Sequence, residues 1–209
     1  TPLLPGVSLR FQSSGHILGS AFAEIESDGR RIVFSGDLGR REPLVLRPRV
    51  KIEEADVLVL ESTYGDRLHP PENPLEALAG IVSDTFDRKG HLLIPSFAVG
   101  RTQDLLYLFA ELRRGGRIPE IPIYLDSPLA TDATEILLSH QAWQRLSEPE
   151  LRALGAVAKI VKTREHSKDL LEARSSTIVI AGSGMLSGGR ILHHLERRIG
   201  DPSTALLLV

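Results

Sequence analysis

The chain has 209 residues, of which 42% are hydrophobic and 25% charged, and its formal net charge is −2. This composition is typical of a globular protein with one sizeable core or two small domains. The charge excludes nucleic-acid binding through bulk positive potential, although not through a local basic groove. Cysteine is absent, which excludes disulfides and thiolate zinc sites, and no apolar run is long enough for a membrane helix. A cytoplasmic protein without membrane contact is therefore predicted.

The first third of the chain is dominated by strand signals. Residues 7–11 alternate apolar and polar side chains, and residues 21–26 and 31–34 flank an Asp-Gly pair that favours a tight hairpin turn. Residues 56–60 form a continuous apolar strand that ends at Glu61. Antiparallel strands with polar residues on their connecting loops predict a sheet-based α+β or αββα layer structure.

After a proline-rich link at residues 69–74, strands and helices alternate, which predicts a doubly wound parallel sheet of the Rossmann type. Two domains are therefore predicted, at residues 1–70 and 71–209. The chain ends inside an apolar run, so it is predicted to be a piece of a longer protein. Strands are predicted at residues 91–95, 121–125, 159–162, 177–181 and 204–209, and helices from Pro74 to Lys89 with Asn73 as cap, from Thr102 as cap to Gly115, and at 129–139, 167–173 and 189–199.

Two polar residues follow strands of the first part on glycine-rich turns. His16 lies in Gly-His-Ile-Leu-Gly-Ser and Asp37 in Ser-Gly-Asp-Leu-Gly. Imidazole and carboxylate groups at such rigid positions are suited to a hydrolytic metal site, and a carboxylate there can bridge two metal ions. The alternatives are ordinary: an isolated histidine is more often structural, and an aspartate in a turn often caps its own backbone.

Glu61 ends an apolar strand and is therefore predicted to be partly buried. A buried carboxylate is costly unless it is paired or hydrogen-bonded. Either Glu61 orients a neighbouring polar group, or it has a raised pKa suited to proton transfer. The alternative is that Ser62, Thr63 and Tyr64 satisfy it locally.

A glycine-rich loop at residues 182–190 follows one predicted strand and precedes a helix, at the edge of a parallel sheet where ligands bind. Its amides and the helix N-terminus predict a phosphate cradle, although the spacing matches neither a P-loop nor a dinucleotide fingerprint. A tight structural turn is the alternative. The predicted substrate contacts of this loop are Ser183, Gly184, Gly188, Gly189 and Arg190.

A second strand-to-helix loop, at residues 95–103, offers Arg101 to a phosphate and Phe97 to a stacked base. Phe97 is equally plausible as a core residue. In the last predicted helix, His193 and His194 are adjacent, so one is expected to pack and the other to be exposed, and neither is predicted to bind metal. The remaining histidines carry no supporting context; they are His69, His91, His140 and His166.

Taken together, these motifs resemble those of the β-CASP branch of the metallo-β-lactamase-fold nucleases, relatives of the mRNA 3′-end cleavage and polyadenylation endonuclease and of bacterial RNases. Residues 15–21 resemble the third metal motif of the family, residues 35–39 the fourth, and residues 61–65 its first β-CASP motif. Residues 95–103 and 182–189 resemble further signatures of the inserted domain. All five matches occur in the family order.

The resemblance implies an α/β fold, with a partial αββα metallo-β-lactamase domain followed by a Rossmann-like β-CASP domain. It implies that His16 binds zinc, that Asp37 bridges two zinc ions, and that Glu61 positions a histidine that assists the leaving group. Ser62 would contact the substrate. The implied reaction is hydrolysis of phosphodiester bonds in single-stranded RNA, held between the two domains.

The chain also departs from the family pattern, because the His-x-His-x-Asp-His cluster and the two later histidine motifs are absent. With two zinc ligands, this chain alone is expected to bind zinc poorly and to be inactive. A metal-free nucleic-acid-binding or interaction module of the same fold is the alternative. A weaker one is a nucleotide-binding protein that uses the loop at residues 182–190. The sequence does not distinguish RNA from DNA as the substrate. It also does not determine whether the protein forms a homodimer.

Overall fold

A computed structural model describes residues 1–68 and 73–209, so the predicted link at residues 69–72, with His69, lies outside the described residues. The chain divides into two compact units. The first comprises Thr1–Pro70 together with Ala142–Arg145, and the second comprises Pro71–Gln141 and Leu146–Val209. No helix in the described parts of the chain is long and apolar enough to cross a membrane.

The first unit contains a five-stranded sheet in the order β1-β2-β3-β4-β5, antiparallel except for the parallel pair β4–β5. The predicted tight turn is confirmed, because Asp28 and Gly29 both have positive φ (51° and 72°) and join β3 directly to β4. Phe22 and Val33 are fully buried and begin the core on one face. The strands are β1 (Pro2–Leu4), β2 (Val7–Ser13), β3 (Ala21–Ser27), β4 (Arg30–Phe34) and β5 (Val57–Val59).

The strand β5 is shorter and more exposed than a continuous apolar run suggests. Val57, Leu58 and Val59 retain between 47% and 50% of their accessible surface. Within the described residues β5 pairs on one side only, with β4, and therefore forms the edge of the sheet. Glu61, just beyond this edge, is half-buried, as its position predicts.

A short segment from the second half of the chain returns to the first unit. The amide of Arg145 donates to the carbonyl of Val45 at 3.0 Å, and the amide of Arg47 donates to the carbonyl of Trp143 at 3.0 Å. The Arg145 guanidinium also donates to the carbonyl of Pro43 at 3.0 Å. The first two bonds are backbone pairing, and all three join residues about 100 positions apart in sequence. No local sequence pattern therefore indicates them.

The second unit contains a five-stranded parallel sheet in the order β10-β6-β9-β7-β8, which confirms the predicted parallel architecture. Every residue of the central strand β9 and of its neighbour β6 is buried, as continuous apolar strands require when helices cover both faces of the sheet. The strands are β6 (Leu92–Pro95), β7 (Ile123–Asp126), β8 (Lys159–Ile160), β9 (Ile178–Ala181) and β10 (Ala205–Leu206).

The direction of the strand connections reverses after β8, and right-handed crossovers therefore place the earlier and later helices on opposite faces of the sheet. Helix α2 packs against α1 and α4, and α5 packs against α6. In residues 1–68 and 73–209 the α-helices are α1 (Pro74–Asp87), α2 (Arg101–Arg114), α3 (Pro128–Ser139), α4 (Glu148–Ala156), α5 (Arg164–Leu171) and α6 (Ile191–Arg198).

The starts of three helices differ in how well the sequence predicts them. Asn73 caps α1 as predicted, since its side chain accepts a hydrogen bond from the amide of Leu75 at 3.0 Å. The prediction that Thr102 caps α2 is wrong: the cap is Gly100, and the Thr102 hydroxyl donates to the carbonyl of Phe97 at 2.7 Å. Helix α4 is not predicted, although Ser147 and Glu150 form a capping box that marks its start.

Candidate functional site

The loop that carries His16 connects β2 to β3 and is fixed by one hydroxyl group. The Ser20 hydroxyl accepts hydrogen bonds from the amides of His16 and Ile17, both at 3.1 Å. The hydroxyl of Ser14 donates to the same oxygen at 2.9 Å. The two ends of the loop are thereby tied together, and the His16 side chain is left 47% exposed.

The loop that carries Asp37 packs directly against the His16 loop. The amide of Gly39 donates to the carbonyl of Ser14 at 2.8 Å. A Cβ atom at Gly39 would overlap the carbonyl group of Gly15, so this approach of two backbones requires glycine at position 39. The guanidinium of Arg49 donates to the carbonyl of Gly39 at 2.9 Å, which holds the far side of the same turn.

This loop-to-loop contact brings the two predicted metal ligands together. The Nε2 atom of His16 lies 3.9 Å from Oδ2 of Asp37, whose side chain is 73% exposed. Both side chains line a cavity of about 760 Å³ in the first unit. Within residues 1–68 and 73–209, no group of three or more His, Cys, Asp or Glu side chains is placed to hold a metal ion.

Glu61 lies in the same cavity and is fixed by the backbone of the Asp37 loop. One of its carboxylate oxygens accepts a hydrogen bond from the amide of Leu38 at 2.7 Å, and its own amide donates to the Ser35 hydroxyl at 3.0 Å. The bond from Leu38 is the main cause that holds the pKa of the Glu61 carboxyl below the ordinary value of 4.5, although burial partly opposes it. The raised pKa considered as one alternative is therefore wrong, and Glu61 is an ionised group that orients the loop of Asp37.

The remaining lining of this cavity differs from the sequence-based interpretation. Ser62 is exposed and does not line the cavity, whereas its neighbours Thr63 and Tyr64 do. Three arginines that are not among the predicted site residues also line the cavity. A run of basic residues directly after the Asp37 motif was the available signal, because cations beside a hydrolytic site attract phosphate. These arginines are Arg40, Arg41 and Arg49.

In the second unit, the glycine-rich loop follows β9 and folds back on itself. The amide of Ser183 donates to the carbonyl of Gly188 at 3.1 Å, and the amide of Ile191 donates to the carbonyl of Gly182 at 3.0 Å. Gly189 has φ of +78°, and a Cβ atom there would overlap the carbonyl group of Gly182. The loop thus contains the tight turn considered as the alternative to a phosphate cradle.

Some of the amides that were predicted to bind phosphate instead form hydrogen bonds within this turn. The amides of Ser183 and Ile191 are committed within the loop, as is the amide of Leu186, which donates to the carbonyl of Ser183 at 3.2 Å. A cavity of about 520 Å³ nevertheless opens beside the loop, at the carboxyl ends of β6, β7 and β9. Its lining includes the predicted contacts Ser183, Gly184, Gly189 and Arg190, but not Gly188.

The two residues proposed in the 95–103 loop are placed differently from each other. Phe97 is 52% exposed and lines the glycine-loop cavity, so the core alternative is wrong for this side chain. Arg101 is the first residue of α2 and is half-buried. It lines neither this cavity nor the cavity around His16.

A buried ionic network beneath the glycine loop was not predicted. Asp126, at the end of β7, is fully buried, and its Oδ1 atom accepts a hydrogen bond from Arg190 at 2.6 Å. Its Oδ2 atom accepts from the Ser167 hydroxyl at 2.6 Å and from Nε2 of His194 at 2.7 Å. Burial raises the pKa of the Asp126 carboxyl, but the hydrogen bonds from its three partners outweigh burial and hold that pKa below 3.8.

This network gives Arg190 and the histidine pair their positions. The same nitrogen of Arg190 also donates to the carbonyl of Val161 at 3.1 Å, so this part of the guanidinium is held by the fold. The Arg190 side chain nevertheless remains 20% exposed and lines the cavity. The expectation for the adjacent histidines is confirmed, since His194 is fully buried and His193 is exposed. The available signal for Asp126 was a charged residue at the end of an apolar strand, as for Glu61.

Comparison with known proteins identifies the family of the chain. Residues 102–209 match the family profile of the Beta-Casp domain. The chain is 40% identical to ribonuclease TTHA0252 of Thermus thermophilus over 99% of this chain and 49% of that protein. It is 33% identical to an RNase J-like protein of Methanocaldococcus jannaschii over 97% of this chain and 48% of that protein. It is 30% identical to the transcription termination factor FttA of Methanosarcina mazei over 100% of this chain and 35% of that protein.

The second unit, with its parallel sheet and its glycine loop at the carboxyl edge, is therefore a β-CASP domain. The chain belongs to the β-CASP family of RNA-processing nucleases. It spans about half the length of the first two of these relatives, and about a third of the third.

We expect Asp126→Asn to lower the free energy of unfolding by about 3 kcal/mol at pH 7, because it leaves the partly buried cation of Arg190 without its counter-ion. The difference from wild type is full above pH 3.8, the ordinary value for an aspartate, and shrinks as the pH falls through the lower folded-state pKa of Asp126. Urea unfolding followed by circular dichroism measures both effects. Asp169→Asn, the same change at an exposed position of α5, is the matched control, with an expected effect within about 0.5 kcal/mol. Equal stability of Asp126→Asn and wild type at pH 7 contradicts the network.

Proposed function

We propose that the chain is part of a zinc-dependent ribonuclease that hydrolyses phosphodiester bonds of single-stranded RNA. The observation that carries the proposal is the pairing of His16 with Asp37 at 3.9 Å on two interlocked loops of one cavity. The ribonuclease names of two relatives support the reaction class. In this proposal the first unit is a part of an αββα metallo-β-lactamase domain.

The geometry of the pair is compatible with a shared zinc ion. Zn–N and Zn–O bonds of about 2.0–2.2 Å place two ligands of a tetrahedral ion about 3.4 Å apart. The 3.9 Å between Nε2 of His16 and Oδ2 of Asp37 requires only a small adjustment of two exposed side chains. His16 and Asp37 would hold the metal, and zinc would supply activation of the attacking water and stabilisation of charge on the phosphate.

The described residues supply two ligands, whereas a catalytic zinc takes three protein ligands and two ions take more. In the proposal, the remaining ligands come from outside the described residues. Zinc affinity depends on the number of fixed ligands, so this chain by itself would bind zinc weakly and would not turn over. The whole protein is therefore the species to assay.

Glu61 has a positioning role in the proposed mechanism. Its ionised carboxylate holds the amide of Leu38, the residue next to Asp37, and thus fixes the loop that presents the proposed ligand. The neighbouring cations Arg40, Arg41 and Arg49 would attract the RNA backbone to the same cavity. In the second unit, the exposed ring of Phe97 beside the glycine loop would stack a base of the single strand.

Asp37→Ala in the full-length protein is expected to reduce cleavage of labelled single-stranded RNA by more than the roughly 10–100-fold that loss of an outer-shell partner costs. Folding should be unchanged, because the Asp37 side chain is exposed. Asp66→Ala, which removes an exposed aspartate that does not line the cavity, is the control and should cleave normally. Undiminished cleavage by Asp37→Ala rules out Asp37 as a metal ligand. A wild-type protein that binds RNA without cutting it supports the metal-free binding module instead.

Glu61→Gln is expected to lower kcat by about 10–100-fold and to change KM little, because a neutral amide oxygen accepts the Leu38 hydrogen bond more weakly than a carboxylate and holds the Asp37 loop less firmly. Steady-state cleavage of the same RNA by the full-length protein measures the two constants. Glu42→Gln neutralises an exposed carboxylate of the same cavity and is the matched control. If both variants cleave at the wild-type rate, Glu61 is a structural residue of the fold only.

A further inference from the structure

A third cavity, of about 740 Å³, lies in the second unit between α5 and α6. Arg164, Ser167, Lys168 and Leu171 line it from one face of α5, because positions three and four apart on a helix are neighbours. His193 of α6 lies opposite. The proposed metal site does not include this surface, and the glycine-rich loop contributes only Gly189 and Arg190 to it.

The cavity has an unbalanced positive charge. Across the described parts of the chain, the side chains of Arg164, Lys168 and His193 form no ion pair and no hydrogen bond. The exposed acidic residues of α5, Glu165 and Asp169, do not line the cavity. Unpaired cations that share one concave surface raise the local concentration of anions there.

The walls of the cavity are fixed to each other. The buried guanidinium of Arg198, in the last turn of α6, donates to the carbonyls of Leu170 and Leu171 at the end of α5, at 3.1 and 2.9 Å. An ion pair between Arg197 and Glu172 joins the same two helices at 3.2 Å. The basic residues of α5 and His193 of α6 therefore do not have to be brought together by a ligand, which lowers the free-energy cost of binding one.

The cavity also adjoins the one beside the glycine loop. Pro128, Gly189 and Arg190 line both of them, so Arg190 stands between the two volumes. The first volume offers the exposed ring of Phe97, and the second offers the basic side chains of Arg164 and Lys168. An aromatic platform beside a basic groove is the arrangement with which proteins hold single-stranded nucleic acid.

We infer that the cavity between α5 and α6 binds backbone phosphates of the single-stranded RNA substrate through Arg164, Lys168 and His193. The inference rests on the proposed function, since it names a second contact surface for the same substrate. These contacts are to phosphate and are therefore independent of base sequence. Their contribution to affinity falls as salt rises.

The test compares Arg164→Gln/Lys168→Gln with wild type in the full-length protein. Fluorescence anisotropy with a labelled single-stranded RNA of about 15 nucleotides is measured in EDTA, so that no strand is cut, over about 0.05 to 0.5 M salt. For single strands each phosphate contact adds about 0.7 to the salt slope, so losing two contacts reduces the slope by about 1.4 and weakens binding about 25-fold at ~0.1 M salt. Arg88→Gln/Lys89→Gln removes the same two charges from exposed positions outside the three cavities and should leave both quantities unchanged.

Each outcome separates the inference from the proposed function. If wild type binds and cleaves RNA while Arg164→Gln/Lys168→Gln has the wild-type affinity and slope, the inference is overturned and the nuclease stands. The inference is also overturned if the double variant loses affinity for an acidic peptide and not for RNA. If wild type neither binds nor cleaves RNA, the proposed function fails first. Both substituted side chains are exposed, so thermal unfolding by circular dichroism should match wild type and confirm that the variant is folded.

Discussion

The contact between the His16 loop and the Asp37 loop is the constraint on which the candidate site depends. Gly39 approaches Gly15 so closely that no Cβ atom fits, and its amide is bonded to the Ser14 carbonyl. Two loops from different strand pairs are thereby fixed to each other through their backbones. Exposed polar side chains on separate loops do not hold a defined distance without such support. The proposed metal chemistry of His16 and Asp37 follows from this packing.

The second unit uses a buried charge for the same purpose. Asp126 connects the end of β7 to Arg190 of the glycine loop and to His194 of α6, so one carboxylate fixes the loop at the sheet edge. A fully buried carboxylate is tolerated here because it is paired and hydrogen-bonded on both oxygens. The two units thus present their cavities from rigid supports: backbone contact in the first, and an ionic network in the second.

Local patterns predicted most of the elements and the order in which they occur, because strand alternation, the Asp-Gly turn and the cap at Asn73 each involve neighbours in sequence. Features that depend on distant contacts escaped prediction. The return of residues 142–145 to the first unit is backbone pairing with residues 43–47, and the role of Asp126 depends on partners more than 40 residues away. The amide of Ser183, which donates to the carbonyl of Gly188, is a further case. A glycine-rich sequence predicts a turn but not which of its amides form hydrogen bonds within that turn.

The most direct test of the proposed metal site is the zinc content of the full-length protein, measured by native mass spectrometry for wild type and for His16→Ala/Asp37→Ala. We expect two zinc ions per wild-type chain and the loss of tightly bound zinc in the double variant, because each substitution removes one ligand from a site of fixed coordination. The 209-residue chain alone should retain none under the same conditions. Two zinc ions in the double variant would contradict the assignment of His16 and Asp37 as metal ligands.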